Sequence, residues 1–282
     1  MGEIFKTLRT SRNISLKEAT GNEFSHSMLS RFENGESDIT ITKLLIGLKN
    51  IRTELSEFSY LINGFKSSSY SLLKKDIWNA ISSNQLSVLN QLYMKELEEY
   101  RTHLKDVSFL NALIVKSHML FLDENVIMTK EEESFLYNYL FSVEIWGEYE
   151  LTVFSDVSVL LPIDLYMRYT REMMKRVDFL GELRKNKNLI HSILLNGLFK
   201  STLEKQLVTA AYFDKMIKKN FFEENDAYLR IVYMIADGQH LYCMGEKKRG
   251  LEQINEAIKI LRILGCDESA TYYSNNLKEW SK

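Results

Sequence analysis

The chain has 282 residues, 45% of them hydrophobic and 26% charged, which is enough for two globular domains and excludes a chain that is disordered as a whole. One proline and 12 glycines leave few residues that break helices, so the composition favours an all-helical protein. The 36 basic and 38 acidic residues give a net charge of −2, which excludes a polycation that grips nucleic acid over its whole surface. Any contact with DNA must be local.

Signals for disulfides, membrane segments and catalysis are weak throughout the chain. Cys243 and Cys266 lie apart from any Cys/His cluster, so we expect a reducing compartment and no structural zinc. Apolar stretches fall short of the roughly 18 residues that span a bilayer, and basic residues near the start interrupt any signal peptide. The histidines lack metal-binding spacing, and neither a nucleophile elbow nor a phosphate-binding loop occurs. We expect a cytoplasmic protein without membrane contact, metal, cofactor or enzymatic activity.

Residues 1–64 read as a compact five-helix domain, followed by a short polar hinge at 65–71 and by longer helices over 72–282. Ser15 and Glu18 have the spacing of a capping box, which predicts a helix start directly before Leu16. The five predicted helices cover 3–12, 15–20, 25–33, 40–50 and 54–63.

The C-terminal part contains an internal repeat of 41 residues. This shift aligns three kinds of position, apolar, small and large, in the pairs Ile190 with Ile231, Gly197 with Gly238, and Phe213 with Ile254. The pattern is that of a tetratricopeptide (TPR) repeat, in which small residues let paired helices approach and large residues fill the gap, although Met234 and Arg262 occupy its tryptophan and proline positions. We predict a TPR-like α-solenoid, with degenerate hairpins over 72–182 by composition alone and a capping helix over 267–280.

The segment from Ser25 to Ser37 carries the sharpest local signal. Ser25 is placed to cap a helix, Leu29 and Phe32 point inward, and the outward positions are His26, Ser27, Ser30 and Arg31. With the preceding Leu16-Lys-Glu-Ala19, the residues resemble the Xre/lambda-repressor class of helix-turn-helix domain over positions 4–62.

That resemblance implies a role for several side chains. It places three at base edges (His26, Ser27, Arg31) and three against phosphates (Ser25, Asn34, Thr40), and it pairs Arg9 with Glu33 in a structural ion pair. Arg12 and Lys17 remain solvated candidates for phosphate contacts. Residues 1–65 contain eight basic and eight acidic groups, so charge alone does not reject the interpretation of Arg31 as an ordinary surface residue.

A longer resemblance covers nearly the whole chain. Residues 139–154, Leu194-Leu195-Asn196 and the repeat at 228–264 are similar to the Rgg/GadR/MutR family of Gram-positive transcriptional regulators. The resemblance implies an Xre-type domain joined to degenerate repeats, a homodimer, and control by short secreted peptides taken back into the cell. The family often has asparagine where this chain has Asp156. An ionised carboxylate only accepts hydrogen bonds, which leaves room for a different ligand or binding geometry.

Repeat geometry points the first helix of each hairpin toward a concave face. In the second hairpin that face would show Val232, Ile235, Gln239 and Tyr242, and in the first it would show His191, Leu194 and Leu198.

Three polar residues recur near the repeat length. Asp156, Asn196 and Gln239 follow one another at intervals of 40 and 43 residues, so they would line one groove that suits a peptide. Ordinary packing between helices explains each of these residues as well, and Trp146, Tyr149 and Phe154 are expected in the core.

These expectations combine into one functional hypothesis. The N-terminal domain of a homodimer would read a double-stranded DNA operator, and the C-terminal repeats would bind a short peptide. The alternative is a TPR-like protein-interaction adaptor that does not bind an operator.

Overall fold

The computed structural model describes residues 1–62 and 69–280 of the chain. Within these ranges the protein forms sixteen α-helices and two 3-10 turns and contains no strand, which confirms the predicted all-helical class. The chain divides into two compact units, residues 1–76 and 77–282.

Residues 1–62 of the first unit form five short helices whose bounds agree with the predicted ones to within one residue at each end. They are α1 (Gly2–Ser11), α2 (Leu16–Thr20), α3 (His26–Glu33), α4 (Ile41–Asn50) and α5 (Leu55–Ile62). Their core is built from Phe5, Leu29, Leu48, Ile51 and Phe58, all fully or almost fully buried. The helical spacing of these apolar residues therefore determines the fold of the unit.

Two polar interactions fix the local geometry of this unit. The backbone N–H of Glu18 donates to Ser15 Oγ at 3.2 Å, and the backbone N–H of Ser15 donates to Glu18 Oε2 at 2.7 Å, which confirms the predicted capping box. Arg9 donates from Nε and Nη2 to both carboxylate oxygens of Glu33, at 2.6 and 2.7 Å, and from Nη1 to the carbonyl of Ile14 at 2.7 Å. The predicted Arg9–Glu33 ion pair is confirmed, and it fastens α1 to the end of α3.

The remaining helices continue the chain to residue 280. They are α6 (Ser69–Ser82), α7 (Leu86–His103), α8 (Asp106–Met119), α9 (Lys130–Ser142), α10 (Glu148–Val157), α11 (Ile163–Arg176), α12 (Arg184–Leu203), α13 (Leu207–Lys219), α14 (Ala227–Cys243), α15 (Lys247–Ile263) and α16 (Asp267–Trp280). Residues 65–68 of the predicted hinge lie outside the described residues. Residues 69–71 form the first turn of α6 instead of a linker.

The two predicted repeats are the hairpins α12–α13 and α14–α15. A Cβ atom on Gly197 would lie 2.3 Å from Cε1 of Phe213, and one on Gly238 would lie 2.8 Å from Cγ1 of Ile254. The absence of a side chain at each glycine is what lets the large residue of the second helix pack against the first. The structure confirms the alternation of small and large residues that the 41-residue period predicts.

A buried charge cluster joins the helices at the other end of the second unit. Lys116 of α8 donates to Glu132 Oε2 at 2.6 Å, and the hydroxyl of Tyr93 on α7 donates to Glu132 Oε1 at 2.8 Å. Burial alone would raise the pKa of Glu132, but hydrogen bonds from Lys116, Thr129 and Tyr93 together lower it below its usual value. Glu132 thus completes the capping box of α9 with Thr129 and also anchors α9 to the α7–α8 hairpin.

An aromatic core positions α10 and α11 against α12. Trp146 and Phe154 are fully buried as predicted, whereas Tyr149 is half-buried. The hydroxyl of Tyr166 on α11 donates to the carbonyl of Ile193 on α12 at 2.7 Å. This packing brings Asp156 on α10 to the same side of the unit as Asn196 on α12.

Candidate functional site

Helix α3 presents the side chains expected of a recognition helix. Leu29 and Phe32 are buried, while His26, Ser27 and Arg31 are exposed and Ser30 is half-buried. The three exposed residues lie on the first two turns of the helix, as a helix that enters a major groove with its N-terminal part requires.

The phosphate candidates differ in how free their side chains are. Ser25 stands at the N-cap of α3, but its hydroxyl does not cap the helix; it is hydrogen-bonded to the hydroxyl of Ser27 at 2.6 Å, which corrects the predicted capping role. Asn34 is exposed, and its Oδ1 accepts a hydrogen bond from Lys6 Nζ at 3.1 Å, so α1 positions this side chain. Thr40 is exposed at the N-cap of α4.

Arg12 follows α1 and Lys17 lies on α2, and both side chains are exposed. Nη1 of Arg12 donates to the carbonyl of Leu8 at 3.2 Å, so part of its guanidinium is used within α1. Both cations can still reach solvent.

The second unit contains a groove of about 810 Å³, formed mainly by α8, α10, α12, α14 and α16, with one residue each from α11 and α15. Its volume is in the range of pockets that hold small ligands or a short peptide segment. Its lining residues are Ser117, His118, Phe121, Ser155, Asp156, Ser158, Val159, Tyr166, Asn196, Phe199, Lys200, Leu203, Ile235, Gln239, Ile254, Tyr272, Tyr273, Asn276 and Leu277.

The groove brings together the three polar residues that the repeat spacing selected, Asp156, Asn196 and Gln239. Gln239 is buried, and its Nε2 donates to Thr202 Oγ1 at 2.8 Å, so half of its amide joins α14 to α12. Asn196 is exposed, and within the described residues its side chain makes no hydrogen bond. Both the donor and the acceptor of Asn196 are therefore available to a ligand.

Large apolar side chains in the groove are exposed to solvent. Phe121 is 68% exposed, Tyr272 58% and Leu203 57%. Three such residues around one concavity form the kind of apolar surface that marks a binding site. Near them, the ring of Phe199 stacks on Tyr273 with centroids 6.0 Å apart, which holds α16 against α12 as a wall of the groove.

Some residues expected on the concave face lie elsewhere. Val232 and Tyr242 are not in the lining, because the groove crosses α14 over the single turn from Ile235 to Gln239 and these two residues lie beyond its ends. In the first hairpin, His191, Leu194 and Leu198 are buried between helices. On α12 the groove is lined instead by one helical stripe, Asn196, Phe199, Lys200 and Leu203.

The sequence interpretation missed several parts of the lining, including Ser117, His118 and Phe121 at the end of α8, which no repeat spacing selects. Phe199, Lys200 and Leu203 follow Asn196 at three, four and seven residues, so extending the helical spacing from Asn196 would have found them. Helix α16 contributes a similar stripe, Tyr272, Tyr273, Asn276 and Leu277, where only a cap was expected. Lys200 supplies a cation to the groove and also lies 3.6 Å from Glu204.

Comparison with known proteins agrees with this description. The model of the family described as HTH-type transcriptional regulator Rgg, C-terminal domain, matches residues 87–275. The structure of the SHP pheromone receptor Rgg2 from Streptococcus dysgalactiae is 22% identical, with 99% of this chain and 100% of that chain covered and a TM-score of 0.83. The PrgX/cCF10 complex is 14% identical, with 98% of each chain covered and a TM-score of 0.76. At these identities the structural likeness establishes the fold.

The fold and the family match together define the class, a helix-turn-helix transcription regulator with TPR-like helical repeats. The chain belongs to the Rgg family of transcriptional regulators, because the family model matches well over half of its length. Membership in a family of regulators also confirms that the protein is not an enzyme. No helix in residues 1–62 or 69–280 combines the length and apolar character that crossing a membrane needs.

Proposed function

We propose that this protein is a cytoplasmic homodimer that binds a double-stranded DNA operator through α3 and binds a short peptide in the groove of its second unit. Peptide binding would alter the affinity for the operator. The observation that carries the peptide assignment is the groove itself, in which unpaired amide groups of Asn196 lie among exposed apolar side chains. Peptide backbone needs donors and acceptors, and peptide side chains need apolar surface.

Two features favour a peptide over a small polar ligand. The polar groups of Asp156, Asn196 and Gln239 share the groove with the exposed apolar side chains of Phe121, Leu203 and Tyr272, so both the backbone and the side chains of a peptide find partners there. Structural relatives support the same choice, since Rgg2 is described as a pheromone receptor and PrgX was solved in complex with cCF10.

The operator assignment rests on α3 and its surroundings. His26, Ser27 and Arg31 would contact base edges, while Ser25, Asn34, Thr40, Arg12 and Lys17 would contact phosphates or lie close to them. Residues 1–65 carry no excess of positive charge, so we expect specific binding to depend on few contacts. A unit of this size covers one half-site, and two-fold dimers are the usual way to read a longer operator.

One experiment tests the operator assignment and supplies the operator. The full chain is bound to sheared genomic DNA, the retained fragments are sequenced, and the enrichment is compared with that of Arg31→Ala. As a matched control, Arg52→Ala removes another exposed arginine of the same unit. We expect a few enriched sites with two-fold symmetry for the wild type and for Arg52→Ala. For Arg31→Ala the same sites should be enriched more weakly, with one base position in each half-site relaxed.

The same preparation distinguishes the alternative function. If no sequence is enriched above input while the groove still binds peptides from a screen of short apolar sequences, the protein is a peptide-binding adaptor and the operator assignment is wrong. If an operator is found and no peptide in the screen changes its affinity, the groove has a different ligand.

A further inference from the structure

Two acidic side chains and a histidine meet at the junction between the two repeats. Asp214 lies on α13, the second helix of the first hairpin, and Asp237 and His240 lie on α14, the first helix of the second hairpin. One potential ligand atom from each residue lies within 4.8 Å of those of the other two. Asp237 and His240 are three residues apart and therefore share a face of α14. The cluster is separate from the lining of the peptide groove.

His240 is the unusual member of this cluster. It is only 6% exposed, and within the described residues its ring makes no hydrogen bond or ion pair. Because its ring has no protein partner there, His240 can offer a ring nitrogen to a ligand. One ring nitrogen and one oxygen of each carboxylate lie within 4.8 Å of one another with no direct hydrogen bond from the ring, so an ion between the three groups could contact all of them.

The two carboxylates are held in place from outside the cluster. The hydroxyl of Tyr233 donates to Asp214 Oδ1 at 2.7 Å, and Nε2 of Gln253 donates to Asp237 Oδ2 at 2.8 Å. Hydrogen bonds of this kind orient the carboxylates that ligate metals and are as much part of a metal site as the ligands. Asp237 Oδ1 has no hydrogen bond in the part of the chain that the structure describes.

Access to the cluster and its charge also suit a cation. Tyr233 and Asp237 line an open cleft of about 630 Å³ beside α14 and α15, which gives an ion a route from solvent. Lys218 donates to Asp214 Oδ2 at 2.8 Å, but its side chain is 58% exposed and can turn into solvent when a cation takes its place. Because the lysine end of this ion pair lies largely in solvent, water can replace its contact with Asp214 when the ion binds.

We propose that Asp214, Asp237 and His240 form a binding site for a divalent transition-metal ion, with Zn²⁺ as the preferred occupant. The imidazole nitrogen and two carboxylate oxygens supply three ligands, and water supplies the fourth, which matches the coordination number and ligand types of Zn²⁺. Because the ligands come from α13 and α14, the ion ties the first repeat to the second. This site is independent of the proposed peptide and DNA functions.

The test is a calorimetric titration of the untagged full chain, freed of metal by chelation, with ZnCl₂, MnCl₂ and MgCl₂. We expect one Zn²⁺ per chain, weaker binding of Mn²⁺ as the Irving–Williams order requires, and no measurable binding of Mg²⁺. Asp237→Asn keeps the shape of the side chain and an oxygen that can accept from Gln253, so the fold should persist. It should weaken Zn²⁺ binding more than tenfold, the lower end of the loss seen for second-shell changes alone.

Glu252→Gln is the matched control, because Glu252 is an exposed carboxylate in the same cleft that does not belong to the cluster. It should bind Zn²⁺ as the wild type does. A second measurement follows thermal unfolding, in which Zn²⁺ should raise the midpoint of the wild type and of Glu252→Gln but not of Asp237→Asn. The proposal is overturned if the wild type binds no Zn²⁺ stoichiometrically, or if Asp237→Asn and the wild type bind it equally.

Discussion

The close approach of α12 and α13 at Gly197 allows a stability change to be worked out from distances. In Gly197→Ala the new methyl carbon would lie 2.3, 2.5 and 2.6 Å from three ring atoms of Phe213. Carbon atoms in contact prefer about 3.5 to 4.0 Å, so the ring must move by roughly an ångström. Phe213 is fully buried and packs edge-on against Tyr166 at a centroid distance of 5.8 Å, so it has little space to move.

Two effects of opposite sign set the size of the change. Overpacking a core costs about 1 to 3 kcal/mol, and an overlap of this size belongs at the upper end. Replacing glycine by alanine within a helix contributes about 1 kcal/mol in the stabilising direction. We expect Gly197→Ala to lower the free energy of unfolding by about 1 to 2 kcal/mol, because the steric term exceeds the helix-propensity term.

Chemical unfolding of the full chain, followed by circular dichroism, measures this difference. Ala211→Gly, at an exposed position of α13, is the control that isolates the helix-propensity term. Phe213→Leu in the Gly197→Ala background should recover part of the loss, so the two substitutions should be coupled by about 0.5 to 3 kcal/mol. If Gly197→Ala stabilises the protein by the propensity term alone, the glycine is not required for packing and the repeat assignment is wrong at this position.

Three further predictions concern DNA binding and pH. Arg31→Ala should weaken operator binding by about 1 to 3 kcal/mol and relax one base position, measured by fluorescence anisotropy on operator variants; an equal loss on all sequences would make Arg31 a phosphate contact. The lowered pKa of Glu132 stabilises the fold at pH values above 4.5, the ordinary pKa of a glutamate. The free energy of unfolding should therefore fall as pH drops from 4.5 through the folded-state pKa, and Glu132→Gln should flatten this pH dependence. Burial lowers the pKa of His191, whose Nε2 donates to the Asn220 carbonyl at 3.0 Å and whose Nδ1 lacks a partner among the described residues. The free energy of unfolding should therefore fall as pH drops below 6.5, because the unfolded chain takes up the proton more readily. His191→Gln should remove this pH dependence.

The sequence predicts best where local patterns repeat. In the first unit, the capping residues Ser15 and Glu18 and the inward positions Leu29 and Phe32 are local signals, and tertiary packing agrees with them. In the second unit, the period of 41 predicts the contact of Gly197 with Phe213 because each repeat packs on its own hairpin in the same way.

What could not be predicted depends on contacts between segments far apart in the chain. Glu132 looks like a charge at a helix start, and its burial depends on Lys116 and Tyr93, which no local pattern connects to it. The concave face of α12 begins at Asn196 because α10 and α16 pack beside it, and nothing in the repeat itself sets that rotation. Helix α16 reads as a polar, aromatic cap, and only the assembled groove gives its Tyr272 an additional role as a wall.

The most direct test of the groove as a peptide site is a calorimetric titration with the peptide found by screening. Asn196→Ala should weaken binding by about 1 to 3 kcal/mol, roughly five- to 150-fold in Kd, because a peptide group loses its partner. Thermal stability should change little, since Asn196 is exposed. Asn255→Ala, an exposed asparagine of α15 outside the groove, should bind as the wild type does. If Asn196→Ala instead lowers the unfolding midpoint and leaves peptide affinity unchanged, the peptide does not lie in this groove.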